Sequence, residues 1–580
     1  MVRQINAMLQ TEPLLTNEVT KVKNREGSDK IAHAMDVKNK GKIDTVKCKF
    51  KQRKVLGYSI RISIFILLAV IGFHTADRIL TAKEGEMLSS DYYDYKNGTF
   101  DVIFLGPSLM KNGVQPVELW ENYGIASYNL ACGNQSLACS YYLLKDAIAK
   151  DNPELVVLEV TYAEEPGLTR SDDFVHYITD KMPLSDSYRY EIIQNLISEE
   201  NRLEFYLPFY SFHARWKELT AEDFETGDYQ KNTLGSVMYS RTVSKSAIPF
   251  QRYEVDASLQ DVPREYLQKI IDLCDESGTE LLLICCPVSS ANGDCDEEHF
   301  NARRTIMKEV ADLAAEQGVS FLNFLETPDA LQLDDFKDFW DGIHLNMYGA
   351  SKLTDFLGIY IRQNYSDVPD RSTDRTIAKL LNEVSERYED TKRTREISTV
   401  SRGDVAMEIL NKYRDDTDLL YVVEGSELSA EELSSDILSG LQELGLNLSA
   451  DASEGYDSSS DDAQTAAASL NLIAVIDSGD VKEQLVSTSL TGLTYEGTIS
   501  GLRLELAAAG FLGSEGNRLP EDYTFFRGDT TYTEEVMTLQ GGSYLSDASG
   551  IRIAVYNKET KKMIDCMALS EDGTTVTHQE

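Results

Sequence analysis

The stretch FDVIFLGPSLMKNG, Phe100 to Gly113, decides how this chain is read. FDVIFL (100–105) is a near-continuous apolar run of strand length, without the alternating polar positions of a strand that has one wet face. It therefore predicts a strand covered on both sides. Gly106-Pro107 ends it and leaves Ser108 on a turn at its carboxyl end.

The same pattern returns in ASYNLA (126–131), LVVLEVTY (155–162), ELLLICCPV (280–288) and VSFLNF (319–324). SLACSYYLLKDAIAK, REYLQKIIDLCDES and TIMKEVADLAAEQG lie between these runs with helical periodicity, and YGASKLTDFLGIYIRQ closes the series. Strand and helix in alternation predict an α/β domain over 97–365, a flavodoxin-like parallel sheet with helices on both faces. A segment at about 165–255 breaks the alternation. It is rich in aromatics and includes FYLPFYSFHARWKEL, and it reads either as a lid over the strand ends or as a helical subdomain packing its own aromatics.

On the amino-terminal side, residues 55–76 (VLGYSIRISIFILLAVIGFHTA) are long and apolar enough for one membrane-spanning helix, with Arg61 close to its boundary. The basic flank KIDTVKCKFKQRK before it and the acidic flank KEGEMLSSDYYDY after it place the amino terminus in the cytoplasm. The leader 1–54 is too long for a cleavable signal peptide and shows no small-x-small site, so an uncleaved signal anchor is expected behind a disordered cytoplasmic tail. The remaining domains would then be extracellular, on a single-pass protein of the cell membrane.

On the carboxyl-terminal side, 366–401 is highly charged and reads as a linker or solvated helix. Residues 402–580 form a second, smaller α+β or β-rich domain, with strands LLYVVE and LNLIAVID, the helix AEELSSDILSGLQELG and the hairpin GIRIAVYNKETKKMIDCMAL turning at NKETKK. SADASEGYDSSSDDAQTAAAS is low in complexity and reads as an exposed loop.

With 580 residues, 42% of them hydrophobic, the chain can build more than one core. A net charge of -40 argues against nucleic acid as a partner, since phosphates would be repelled. None of the 8 cysteines sits in a C-x-x-C pair or a Cys/His cluster of zinc spacing, so neither a metal nor another cofactor is expected. Most read as buried thiols; Cys286–Cys295 is the one pairing left open.

The chemistry gathers where such a sheet keeps its functional groups, at the carboxyl ends of the strands. Ser108 follows the first strand, and DFWDGIHLN (338–346) follows the last, bringing Asp341 and His344 to the same edge. A serine hydroxyl becomes a nucleophile when an imidazole takes its proton, and a carboxylate three residues before the histidine can fix the ring's tautomer. Oxyanion donors would be the backbone amide of Ser108 and that of Gly133 or Asn134, in the turn NLACGNQS. His176, His213 and His299 lack an acidic partner at useful spacing, apart from DEEH at 296–299 on what reads as a solvated helix.

DVIFLGPS, YNLACGNQS and DFWDGIHLNMYGASKLTDFL together resemble the nucleophile, oxyanion and acid-base blocks of the SGNH (GDSL-like) hydrolase superfamily. Within it they are most similar to the membrane-anchored branch linked to cell-surface polymer O-acylation, which also shares a segment like YSFHARWKEL. The resemblance implies Ser108 as nucleophile, His344 as general base and Asp341 as its orienting acid. Two positions depart from the pattern: Pro107 stands where many relatives have Asp, and no G-x-N-D follows VVLEVTY, so the side-chain oxyanion donor of that block is missing, a role Asn134 could fill. Lys111, Asn112, His213, Arg215 and Trp216 are the candidate substrate contacts. The carboxyl-terminal region resembles the interleukin-like (ILEI/PANDER-type) domain, which implies glycan binding or docking. The implied activity is that of a serine esterase or O-acetyltransferase on an extracellular polysaccharide or cell-wall polymer, with a membrane-bound O-acyltransferase as possible acyl donor. The alternative is a non-catalytic surface protein that binds glycan or scaffolds a polymer-export complex.

Overall fold

The computed structural model describes residues 87–206, 216–217, 229–243, 250–289, 296–429, 433–448, 469–488, 491–511, 536–539, 542–543 and 550–578, together with 58, 60–69, 71, 72 and 75. The chain divides into two compact units, Met1–Ile79 and Leu80–Glu580. In the first, residues 60–69 are helical, and Ile62, Ile64, Phe65, Leu67 and Leu68 are each at least half exposed. Among the described residues no helix is long and apolar enough to cross a membrane. The tail 1–54 and the other positions of the 55–76 span lie outside them.

In the second unit the five apolar runs form one sheet: β1 (Val102–Leu105), β2 (Ser127–Asn129), β3 (Leu155–Glu159), β4 (Glu280–Cys285) and β5 (Ser320–Asn323). The order is β2-β1-β3-β4-β5 and every neighbouring pair is parallel, the flavodoxin-like arrangement. The pleat sends Ile103 and Leu105 into one core and Val102 and Phe104 into the other, so each strand is covered on both faces. β3 stops earlier than its apolar run. Glu159 takes the N–H and hydroxyl of Thr161, and the chain turns into a short 3-10 helix, Thr161–Glu164.

The connecting helices are α1 (Ser108–Gly113), α2 (Pro116–Tyr123), α3 (Leu137–Asp151), α4 (Ser187–Leu196), α5 (Asp261–Ser277), α6 (Glu297–Gln317) and α7 (Met347–Asn364). The described part of the aromatic insertion packs on the domain: Val175, Ile178, Ile192, Ile193 and Phe205 join the same core as α3. The fully buried Arg189 ties this layer together, donating to the carbonyls of Thr179 (2.7 Å) and Phe205.

The insertion returns as a strap over residues 233–243. Asn129 of the edge strand β2 donates to the Leu234 carbonyl (2.9 Å), Val237 donates to Lys111 (3.2 Å), Met347 to Tyr239 (2.9 Å) and Val243 to Phe339 (3.2 Å). Gly235 has φ +89, and a Cβ there would meet the Asn129 carbonyl oxygen at 2.1 Å, so the close approach needs glycine.

Of the two readings of the charged region 366–401, the structure has the helix, though not a fully solvated one. It forms α8 (Arg375–Ser398), whose Leu381, Val384 and Tyr388 are buried in the α/β core. Glu118 of α2 accepts from the Tyr388 hydroxyl (3.0 Å) and the Lys392 ammonium (2.8 Å), and Trp120 donates to Asn382 (2.9 Å). Only one face of the helix is solvated.

Beyond it come α9 (Gly403–Lys412), β6 (Leu419–Ser429), α10 (Ser435–Glu443), β7 (Ser469–Asp477), β8 (Asp480–Thr488), β9 (Thr491–Ile499), β10 (Leu502–Phe511), β11 (Val536–Leu539), β12 (Gly542–Ser543), β13 (Ile551–Asn557), β14 (Lys562–Leu569) and β15 (Val576–His578). They build a six-stranded sheet, β15-β14-β13-β6-β7-β8, and a four-stranded one, β12-β11-β10-β9, antiparallel at every pair, and the six-stranded sheet is covered on both faces. β6 shows why: Leu419, Tyr421 and Val423 face α9 and α10, while Leu420 and Val422 face the second sheet. β13 and β14 are the expected hairpin. The low-complexity segment 449–468 lies outside the described residues. Cys139, Cys274, Cys285, Cys286 and Cys566 are free and buried, and Cys132 is buried; Cys48 and Cys295 fall outside the described residues.

Candidate active site

β1 delivers the nucleophile position. Gly106, at φ +145, packs so closely on β3 that a Cβ would lie 2.6 Å from Glu159 Cβ, and Pro107 then places Ser108 as the first residue of α1. Asn112, one turn on, donates to the Ser108 carbonyl (2.8 Å) and braces that turn.

The loop after β5 delivers Asp341 and His344. A bridge between Phe339 and Leu345 pinches it, with Asn346 N–H donating to the Asp338 carbonyl (2.9 Å). Inside the pinch, Asp341 Oδ1 accepts the backbone N–H groups of Ile343 (2.8 Å) and His344 (2.6 Å). This leaves Oδ2 facing His344 Nδ1 at 2.7 Å, and the ring's Nε2 lies 2.8 Å from Ser108 Oγ. With Nδ1–H donating to the carboxylate, the Nε2 lone pair faces the serine hydroxyl. Burial alone would raise the Asp341 carboxyl; the ring hydrogen bond, the ring charge and the two backbone N–H groups outweigh it and hold it below its ordinary value. Trp340 stacks on the imidazole, centroids 5.1 Å apart at 14°, fixing its plane from the side.

The turn after β2 borders the same place. Cys132 N–H donates to the Gly106 carbonyl (3.3 Å), joining this turn to the nucleophile turn. Gly133 is buried in it, and Asn134 is half-buried at φ +54, with its side-chain Oδ1 accepting from the Tyr162 hydroxyl at 2.5 Å.

The structure thus brings Ser108, Asp341 and His344 together and sets Gly133 and Asn134 beside them. Two of the substrate-side candidates, Lys111 and Asn112, are turned into the protein. Lys111 is fully buried, and its ammonium donates to the carbonyls of Met87 (2.7 Å), Ala131 (3.3 Å) and Gly235 (3.3 Å). It joins three chain segments and is not a substrate contact. Asn112, 2% exposed, faces its own helix. Trp216 is 64% exposed, with Lys217 Nζ 5.9 Å from its ring centroid; His213 and Arg215 lie outside the described residues.

Two of the histidines set aside in the sequence do have acidic partners. His176 pairs with Asp180 (2.9 Å) and stacks on Phe205, and His299 meets Glu164 (3.2 Å), which Arg303 also holds. The first spacing is one helical turn, a signal the sequence carried; the second joins elements far apart in the chain. Sequence reasoning also passed over Glu159, Tyr162 and Trp340. For Glu159 the signal was there, a lone acid at the end of an otherwise apolar strand run.

No family model matches the chain, and no curated protein does. Similar solved structures include an acetyl xylan esterase, 13% identical, covering 45% of this chain and 98% of its own with a TM-score of 0.24. Another is a GDSL-like lipase from Bacteroides thetaiotaomicron, 11% identical, covering 46% of this chain and 89% of its own with a TM-score of 0.23. Likenesses this distant leave the chemistry to the geometry of the site.

Proposed function

We propose that the chain is a membrane-anchored serine esterase or O-acyltransferase of the SGNH type, acting on ester-linked acyl groups, chiefly acetyl, of an extracellular glycan or cell-wall polymer. One observation carries the chemistry: carboxylate, imidazole and hydroxyl stand in line at 2.7 and 2.8 Å. His344 Nε2 takes the Ser108 proton as Oγ attacks the acyl carbonyl, and Asp341 stabilises the imidazolium that forms. The tetrahedral intermediate collapses to a Ser108 acyl ester when His344 returns the proton to the departing sugar oxygen. Water or a second sugar hydroxyl, deprotonated by the same nitrogen, then takes the acyl group. Hydrolysis and transfer thus share one set of residues, and water exclusion separates them. In the transfer version a membrane-bound O-acyltransferase supplies the acyl group.

The anchor rests on the apolar run 55–76 and its basic-to-acidic flanks, together with the apolar side chains exposed on the helical residues 60–69. A non-catalytic glycan-binding or scaffolding protein would have no need to keep Ser108 Oγ within hydrogen-bond reach of His344, and the 2.8 Å contact counts against it.

Turnover of p-nitrophenyl acetate by the full chain in detergent tests the reading. Ser108→Ala and His344→Ala are expected to fall to background, and Asp341→Asn to lose about 10³–10⁴-fold in kcat through the wrong tautomer. A folded wild type no faster than Ser108→Ala overturns it.

A further inference from the structure

We propose that Tyr162 is a positioning residue that turns the Asn134 side-chain amide so that its Nδ2 donates to the acyl oxyanion. This stands in for the donor missing after the third strand, and it rests on the serine-esterase reading.

The sheet order carries the argument. β1 lies between β2 and β3, so at roughly 4.8 Å per strand the ends of β2 and β3 are about 10 Å apart. Asn134 follows β2 and Tyr162 follows β3, yet the Tyr162 hydroxyl reaches Asn134 Oδ1 at 2.5 Å. That bond crosses over the carboxyl end of β1, where Gly106, Pro107 and Ser108 turn. Asn134 makes the crossing from a left-handed φ of +54, a conformation asparagine adopts more readily than most residues.

An asparagine amide presents an acceptor at one end and donors at the other, and nothing in its shape decides which end faces a ligand. A phenol hydroxyl donating to Oδ1 decides it. With Oδ1 engaged toward β3, Nδ2 is the group left for the serine side, where negative charge develops. The reverse orientation would aim a carbonyl dipole at the oxyanion.

Arg170 stands near enough to the Tyr162 hydroxyl for its charge to pull the phenol's pKa down against the rise from burial. Its segment is held against the Asn134 turn, since Ser136 Oγ donates to the Leu168 carbonyl at 2.6 Å. A cation beside a phenol makes it a stronger donor, which strengthens its bond to Asn134 Oδ1. Burial raises the phenol's pKa and Arg170 only partly offsets this, so Tyr162 stays a donor at neutral pH.

The test uses the full chain with p-nitrophenyl acetate. Asn134→Ala is expected to lower kcat about 10²-fold. Tyr162→Phe should lower kcat about 10-fold with KM within about twofold, and the double variant should be no slower than Asn134→Ala alone. Should Tyr162→Phe not fold, Asn134→Asp serves in its place. It keeps the Tyr162 bond and the shape but replaces the donor by a charge, so kcat should fall by at least about 10²-fold at an unchanged melting temperature. Wild-type kcat in Tyr162→Phe or Asn134→Asp, or additive losses in the double variant, overturns this positioning role while Ser108-dependent turnover leaves the esterase reading standing. A wild type no faster than Ser108→Ala takes both down.

Discussion

Glu159 sits fully buried beneath the Gly106 turn, and burial pushes its carboxyl up to about 7. Bonds from the Thr161 hydroxyl and from the Cys286 and Thr161 N–H groups, with the charge of Arg303, offset only part of that rise. Between the ordinary carboxyl range and about pH 7 the native chain therefore binds a proton that the unfolded chain has released. Stability falls as pH rises through this window and levels off above it, by about 3 kcal/mol for a shift of this size. Asp146, also pushed up to about 7 by burial and by Asp186, adds a slope of the same sign. Chemical denaturation at pH 5, 6, 7 and 8 should show that slope, and Glu159→Gln should make it shallower. The thiols offer a second check at this scale. Burial pushes Cys139 to about 11 and Cys274 to about 12, so iodoacetamide at pH 8 should label neither until the chain is unfolded.

At the scale of the element, the loop that carries Asp341 and His344 is held by its flanks more than by its own residues. Asn346, 1% exposed, caps α7 by accepting from the Tyr348 and Gly349 N–H groups (3.0 and 3.1 Å). Its amide nitrogen donates to the strap at Arg241 (3.0 Å) and to Lys337 (2.6 Å). Asn346→Ala strands all of these partners and should cost about 2–4 kcal/mol. It should lower kcat more than it changes KM, because His344 is only two residues away; a melting curve beside a kinetic one checks both. Strands, amphipathic helices, the hairpin and the Asp341–His344 pair were legible in the sequence because each is written in contiguous residues as a period or a spacing. The strap, the carbonyl cage around Lys111 and the Tyr162–Asn134 bond were not, because each depends on a return of the chain that no local pattern encodes. α8 was half legible: its charges announced solvent, while its buried Leu381, Val384 and Tyr388 repeat at steps of three and four.

For the molecule as a whole, that helix sets where the α/β body ends. A chain stopped at residue 366 loses the cover over Trp120 and leaves Glu118 without Tyr388 and Lys392. A chain stopped at 401 keeps them, as well as the bonds from Ser240 to Thr399 (2.8 Å) and from Thr242 to Ser401 (3.2 Å). The shorter chain should be insoluble or melt far below the longer one, as thermal denaturation of the two would show; equal melting would mean α8 is dispensable. The site itself is assembled from distant pieces, with Ser108 and His344 separated by 236 positions. Closing so long a loop slows folding more than it weakens the fold. During synthesis the serine therefore emerges long before any base can reach it. A half-made chain holds a silent hydroxyl, and on refolding the return of turnover should trail the return of helix and sheet, which makes activity a clock for the last step of assembly.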